Sequence, residues 1–586
     1  MTSLSKKYEG HPTPQFTRND WVNLNGEWDF AFDDENLGEK RKWFNGAHFD
    51  KKIIVPFTYE TKASGIGDET FHPFVWYKRT FGLPEESKEK RVLLHFNASD
   101  YLTKVWVDGR FVGSHQGGYT HFFFDLTDYL NEEDQHELIV KVEDSMSRAQ
   151  PRGKQRWIGE NFGCWYVQTT GIWQTVWLEL VNDTHLKSVK ITPDIDTASI
   201  TFNYELAGIG LKKGLSLKTN IEFDGQPVKT FSQEIQSARE ELTLNISSAV
   251  DEWGIKLWHP DHPNLYDVTF TLYDKESVID QVSSYFGMRK VSIENGKVLL
   301  NNTPIYQRLI LDQGYWRDTH LTPPSEEALI EDIDRTLEMG FNGVRKHQKV
   351  EDPRYLYWCD RKGLLVWSEV AATYEFSDEA IHNFTNEWLD IVRQNYNHPS
   401  IIAWTPFNES WGVKNIFVDT KQQHFTESIY YLTKSLDSMR PVIVNDGWEH
   451  TISDIITLHD YEEMGDLFAK RYANKEKIVT NEITHNHHKY AMAKGYEYKG
   501  QPIILSEYGG IAFKEESGWG YGNQVNTEKE FFARYDSITQ AIKNCDYIVG
   551  YCYTQITDVQ QEINGLLTED RKPKVDLKRV REINLK

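Results

Sequence analysis

Cysteine is scarce, basic charge is in deficit, and long apolar runs are missing. The four cysteines, Cys164, Cys359, Cys545 and Cys552, lie without the spacing of a metal site and read as buried free thiols. No stretch approaches the roughly 18 apolar residues of a membrane span. Met1 to Gln15 is polar and has no apolar signal core, so a cytoplasmic protein is expected. Lys and Arg number 65 against 88 Asp and Glu, a net charge of −23. That balance argues against nucleic acid or an anionic membrane as partner and favours a neutral or weakly charged substrate.

Aromatic side chains are abundant, with 19 Trp, 30 Tyr and 30 Phe. They suit broad β cores, and flat rings also stack on sugars. A chain of 586 residues exceeds one hydrophobic core, so about three or four domains are expected.

The patterning changes twice. From Asn23 to Leu180 the signals are β: Val92–Phe96, Phe122–Phe124, Leu138–Val142 and Thr175–Leu178 read as strands, and Asp108-Gly109 joins Val105–Val107 to Arg110–Val112 in a type I′ hairpin. Many short strands without helical periodicity predict a jelly-roll sandwich over residues 1–182. Residues 183–287 alternate at Ile200, Phe202, Tyr204 and Leu206 and again at Val268, Phe270 and Leu272, which predicts an immunoglobulin-like β-sandwich.

Over residues 288–586 capped helices alternate with short apolar strands, the pattern of a parallel sheet with crossover helices. Ser325 caps a helix that stops at Gly340, and Asp352-Pro353 opens one that stops at Gly363. Strands follow at Phe341–Arg345 and Leu364–Ser368. Further helices carry Ile381, Phe384, Trp388, Ile391 and Val392 on one face, Phe425, Ile429, Leu432 and Leu436 on another, and Phe531, Tyr535, Ile538 and Ile542 on a third. With Pro441–Asn445, Ile455–Leu458, Ile503–Ser506 and Tyr547–Tyr553 there are about eight strands, enough for a (β/α)8 TIM barrel.

Two barrel strands run straight into a glutamate: Trp404-Thr-Pro-Phe-Asn-Glu409, at the end of the fourth, and Pro502-Ile-Ile-Leu-Ser-Glu507, at the end of the seventh. Barrel strand ends carry the working residues, and two carboxylates on one rim can perform acid/base and nucleophilic work on a glycosidic bond. Either glutamate alone also reads as a solvated loop residue or a helix N-terminal charge. Several residues just after strands are candidates to meet substrate: His347, His459, Trp316, Trp411 and Trp448. For the histidines the alternative is a hydrogen bond to their own loop, and for the tryptophans core packing.

The chain resembles glycoside hydrolase family 2, the β-galactosidase and β-glucuronidase family, along essentially its whole length. The likeness is carried by Trp21–Trp28, Val105–Gly113 with Gly117–Phe122, Gly171–Leu178, Phe286–Arg289, Asn408-Glu409-Ser410 and Gly565–Lys574. It implies a sugar-binding-like jelly roll, an immunoglobulin-like domain and a catalytic barrel, with Glu409 as general acid/base and Glu507 as nucleophile of a retaining exo-β-glycosidase. It further implies Asn408 on the sugar 2-hydroxyl, Arg345 beside the nucleophile and Tyr461 donating to it. On this reading ionised Glu507 raises the proton affinity of Glu409.

The resemblance leaves the sugar open. Family β-glucuronidases carry an Asn-x-Lys pair before the Gly565 segment, and here those places hold Glu562, Ile563 and Asn564, where an acid would repel a uronate. The loop Lys346-His-Gln-Lys349 departs from the galactosidase pattern and reads as solvated. A β-D-galactoside is the first expectation, with β-glucuronidase or α-L-arabinopyranosidase as alternatives, and a non-catalytic carbohydrate-binding protein as an alternative of another class. Large family members use a divalent metal beside the acid/base, but the sequence assigns it no ligands here, and a homo-oligomer is expected only by analogy.

Overall fold

The computed structural model describes residues 8–586 apart from 209, 211–213, 248–253, 487 and 516. Two antiparallel sheets form the amino-terminal sandwich. One has six strands, from Lys51–Val55 at one edge to Arg110–Gln116 at the other, and the other has four, with Val176–Val181 and Arg91–Phe96 at its centre. Trp28, Val75, Tyr77, Phe96, Val105 and Val140 fill the space between them. At the hairpin, Asp108 (φ 50°) and Gly109 (φ 76°) both take the left-handed backbone that a type I′ turn demands.

The next sandwich packs a three-stranded sheet, with Ser199–Ala207 at its centre, on a four-stranded one around Leu215–Phe223 and Tyr266–Asp274. The alternating residues Ile200, Phe202, Tyr204 and Leu206 all point inward. The first described residues lie between this domain and the jelly roll: Thr17 pairs with Ser283 and the Tyr8 hydroxyl donates to Asp267 over 2.7 Å, while His11 meets Trp21 and Trp177 edge-on and the Asn97 amide donates to the Pro12 carbonyl over 2.9 Å.

The barrel strands are β1 Gln307–Asp312, β2 Gly343–Lys346, β3 Leu365–Glu369, β4 Ile401–Thr405, β5 Asn445–Asp446, β6 Ile456–His459, β7 Ile503–Gly509 and β8 Ile548–Thr554. Seven form one parallel sheet in the order β4-β3-β2-β1-β8-β7-β6. The segment around β5 closes the ring. Ile443 N–H donates to Trp404 of β4 over 2.9 Å, and His459 N–H of β6 donates to Gly447 over 3.1 Å. Leu309, Leu311, Leu365, Trp367, Ile402, Ile443, Ile504 and Cys552 fill the interior.

The helices start where their caps predict. Ser325 Oγ accepts from Ala328 N–H before the helix Glu326–Glu338, and Asp352 accepts from Arg354 N–H before Pro353–Lys362. Each such cap stabilises by about 1 kcal/mol. In the helix Thr420–Leu436 the expected apolar face holds at Ile429, with Phe425 and Leu436 half-buried against the core, but it is corrected at Leu432, which is 39% exposed, while Gln422, Gln423, Thr426 and Thr433 are buried beside Ile429. Two cysteines also depart from expectation, since Cys164 and Cys545 are only partly buried, though all four are free.

Candidate active site

Seven of the residues singled out in the sequence, Arg345, His347, Asn408, Glu409, His459, Tyr461 and Glu507, converge at the carboxyl ends of the barrel strands. Arg345, next to last in β2, has no exposed surface, and its guanidinium is fully used. Nε donates to Glu369 over 2.8 Å, Nη1 to Glu507 over 3.0 Å, and Nη2 to the Asn408 side-chain oxygen over 2.9 Å, while Asp446 lies 2.8 Å from Nη1. A planar fork can bind several acceptors at fixed angles, which an ammonium could not. His347 extends the network through a 2.9 Å contact with Glu369.

His459, at the end of β6, bridges the two strand-end carboxylates. Its Nδ1 lies 2.8 Å from Glu409 and 3.4 Å from Glu507, and its Nε2 lies 2.7 Å from Asp446. Burial opposes the charged ring, but the surrounding Glu507, Asp446 and Glu409 outweigh it and push the imidazole up to about 10. His459 is therefore an imidazolium at neutral pH. Burial likewise pushes the Glu409 carboxyl up, yet the hydrogen bond and charge of His459, aided by Lys154 and His347, hold it below its ordinary range. The resemblance implies a raised acid at Glu409, and in the free site the net shift is instead downward, because a cation sits between Glu409 and Glu507.

The Tyr461 hydroxyl donates to Glu507 Oε2 and lies 3.2 Å from Thr554, while its ring stacks on Tyr521 with centroids 3.4 Å apart. Glu409 keeps 20% of its side chain open to solvent and Glu507 5%. Beside them a cavity of about 660 Å³ opens between Tyr461, Tyr521, His485 and Arg471.

Glu409 (φ 52°) and Ser410 (φ 60°) are consecutive non-glycine residues in the left-handed region, a conformation that costs about 1–2 kcal/mol each. The fifth strand holds them there. Glu409 N–H donates to the Asp446 carbonyl over 2.9 Å, and Ser410 N–H donates to the Asn445 side chain over 2.9 Å. Asn445 also donates to Ser410 Oγ and to the Trp448 carbonyl, and Trp448 Nε1 donates to Ser410 Oγ over 3.1 Å. Trp448 thus helps aim Glu409 and meets His459 edge-on, with ring centroids 5.5 Å apart.

The other tryptophans divide. Trp411 is half-buried in an aromatic wall with Trp165 of the amino-terminal domain and Tyr374. Trp316 packs in the core with Tyr315 and Trp173, its ring under the cations of Lys349 and Arg571. The loop after Arg345 is not solvated. Lys346 and Lys349 are each 2% exposed, and both contact Glu351 at 2.8 Å, with Asp312 also on Lys346.

Glu369, Asp446, Tyr521 and Lys154 were not anticipated. For Glu369 a signal was available, because Leu364-Leu-Val-Trp-Ser-Glu369 is another apolar strand running into a glutamate. Lys154 had none, since it arrives from the jelly roll.

Glu409, His459 and Glu507 each place one donor atom within 4.8 Å of the others, a spacing that could suit a cation. Both His459 nitrogens already serve carboxylates, Nδ1 that of Glu409 and Nε2 that of Asp446.

Residues 21–178 match the sugar binding domain of glycosyl hydrolases family 2, residues 184–289 match that family's central domain, and residues 291–586 match its TIM barrel domain. The chain belongs to glycoside hydrolase family 2. A β-galactosidase of Thermoanaerobacter pseudethanolicus is 27% identical over 530 residues, covering 86% of this chain and 68% of its own length. The β-glucuronidase of Rattus norvegicus is 22% identical, covering 94% of this chain and 88% of its own. The solved β-glucuronidase of Ruminococcus gnavus in complex with D-glucuronic acid superposes with a TM-score of 0.78 at 17% identity, over 97% of this chain and 98% of that one. The family 2 chain is a glycoside hydrolase, which sets aside the purely carbohydrate-binding reading.

Proposed function

We propose that this family 2 enzyme is a retaining exo-β-glycosidase that removes terminal sugars of the β-D-galactoside type by double displacement. The observation that carries the proposal is the approach of Glu409 and Glu507, whose oxygens lie within 4.8 Å. Carboxyls about 5–5.5 Å apart leave no room for an attacking water and suit a covalent intermediate. Glu507, oriented by Arg345 and Tyr461, attacks the anomeric carbon, and the bond to the aglycone oxygen breaks as that oxygen takes a proton from Glu409.

The free site keeps Glu409 ionised, so the substrate must change its state. A glycosidic oxygen lodged at Glu409 replaces the His459 contact. Burial and the charge of Glu507 then act together and raise the carboxyl until it takes up a proton. Forming the glycosyl ester removes the charge of Glu507, and Glu409 becomes the base that activates water. A neutral sugar is supported by the closed ion pairs of Lys346 and Lys349, which leave neither lysine for a uronate.

A panel of nitrophenyl β-galactoside, β-glucuronide, β-glucoside and α-L-arabinopyranoside tests the assignment. The galactoside should be released fastest, with the β-anomer as first product by NMR, and Glu507→Gln should abolish turnover. An inverted first product, or an undiminished rate in Glu507→Gln, would remove the proposal.

A further inference from the structure

We infer that Lys154, carried into the barrel mouth by the amino-terminal domain, is a specificity-determining residue that donates to hydroxyls of a neutral sugar in the site of Glu409 and Glu507. The inference deepens the proposed function and rests on it.

The turn bearing Lys154 is built against the barrel. Arg152 and Gly153 N–H both donate to the Ala372 carbonyl, over 2.9 and 3.1 Å, and the Tyr374 hydroxyl donates to the Gly153 carbonyl. Gly153 has φ +59°, and a Cβ there would stand 2.6 Å from the Gln348 carbonyl. Only glycine lets the turn sit this close behind β2 and β3. The Lys154 carbonyl accepts from Tyr166 N–H over 2.8 Å, and Trp519 Nε1 and Gln561 reach over from the barrel to the Gly163 carbonyl, each over 2.9 Å. The loop is thereby clasped on both sides.

Lys154 itself is 9% exposed and, among the described residues, has no carboxylate within 4.0 Å of its ammonium. The Cys164 thiol, a weak acceptor, lies beside it. An ammonium has three donors and nothing to accept with, so a buried one with so little to receive them calls for a ligand that supplies acceptors. Glu562, Glu507 and Glu409 all act on it electrostatically from further off.

Glu562 decides between the acceptors a sugar can offer. It is 2% exposed and held by the Tyr166 hydroxyl and by Asn564, which donates over 3.1 Å. Its charge offsets that of Lys154 without occupying the ammonium. A lysine whose buried neighbours were all uncharged would leave net positive potential for a carboxylate. Here the acid cancels that potential, and what remains is a set of N–H donors suited to hydroxyl oxygens.

The test compares nitrophenyl β-D-galactopyranoside, its 4-deoxy and 3-deoxy analogues and the β-D-galacturonide, in the wild type, Lys154→Met and Lys154→Arg. The wild type should prefer the galactoside to the galacturonide. Lys154→Met should lower kcat/KM on the galactoside by about 10–100-fold, and on at least one deoxy analogue by less than about threefold. Equal losses on all three neutral substrates, or a galacturonide preference that Lys154→Met abolishes, would overturn the inference.

Calorimetry on Glu507→Gln with and without Lys154→Met reads the same contact without turnover. D-galactose should bind about tenfold more weakly when Lys154 is replaced, and D-galacturonate no more tightly than galactose. Unchanged galactose binding, or binding of neither sugar, counts against Lys154. Loss of turnover with this binding pattern intact counts only against the proposed hydrolytic assignment.

Discussion

His459 holds its Nδ1 2.8 Å from Glu409 Oε1 while its Nε2 lies 2.7 Å from Asp446. One imidazolium thus ties the proposed acid/base to the buried network of Arg345, Asp446, Glu369 and Glu507. The consequence is a site whose resting ionisation differs from the one that chemistry needs, with the substrate making the change.

That relationship has a pH signature. His459→Asn removes the cation that depresses Glu409, so the Glu409 carboxyl should rise and the alkaline limb of kcat/KM, which reports the free enzyme, should move to higher pH. A pH–rate profile of the variant lying at or below the wild-type limb would show that His459 does not set the acid.

The same histidine links pH to stability. Its folded value of about 10 exceeds its ordinary 6.5, so its contribution is fully present below pH 6.5 and is lost as pH rises through about 10. Every tenfold gain in proton affinity on folding is worth about 1.4 kcal/mol. Urea midpoints should therefore fall between pH 6.5 and 10 more steeply in the wild type than in His459→Asn, and parallel curves would contradict this.

Glu409→Ala should cost most where the leaving group most needs a proton. With an alkyl or lactose-type aglycone the loss should be about 10³-fold or more, and with dinitrophenolate it should be far smaller for the first step. A loss independent of leaving-group pKa would deny Glu409 the role of acid.

Arg345→Met leaves Glu369, Asp446 and Glu507 buried without their common cation. Breaking such a network costs about 3–5 kcal/mol, which chemical denaturation would read directly. Tyr461→Phe is milder. It removes one donor from Glu507 and should lower kcat by roughly 10–100-fold with little change in unfolding midpoint.

Aiming of Glu409 can be probed away from the chemistry. Ser410→Ala removes the hydroxyl that joins Glu449, Asn445 and Trp448, and the left-handed turn loses part of its support. kcat should fall by about tenfold while the pH profile keeps its shape, since no charge has been altered. An unchanged kcat would show that Asn445 alone suffices.

Much of this was legible in the chain. Caps at Ser325 and Asp352, the Asp108-Gly109 turn and the alternation from Ile200 to Leu206 are local signals, and each element formed where its own few residues require it. The thin fifth strand was harder to read. Pro441–Asn445 looks like an ordinary strand, but only Asn445–Asp446 is regular, because the N–H groups of Val442 and Val444 donate to the Asp454 and Ser453 side chains and not to a neighbouring strand. Trp316 misled for a related reason: an indole after a strand looks the same in sequence whether it faces a sugar or, as here, the cations of Lys349 and Arg571.

By itself the sequence determined the three folds and the two glutamates, because periodicity, caps and strand-end residues act within a few positions of each other. Only the tertiary structure decided which charges meet. That His459 stands between Glu409 and Glu507, that Lys346 and Lys349 are already neutralised, and that Lys154 crosses from one domain into another's site depend on contacts between residues far apart in the chain. Electrostatics falls off with distance in space and takes no account of distance in sequence.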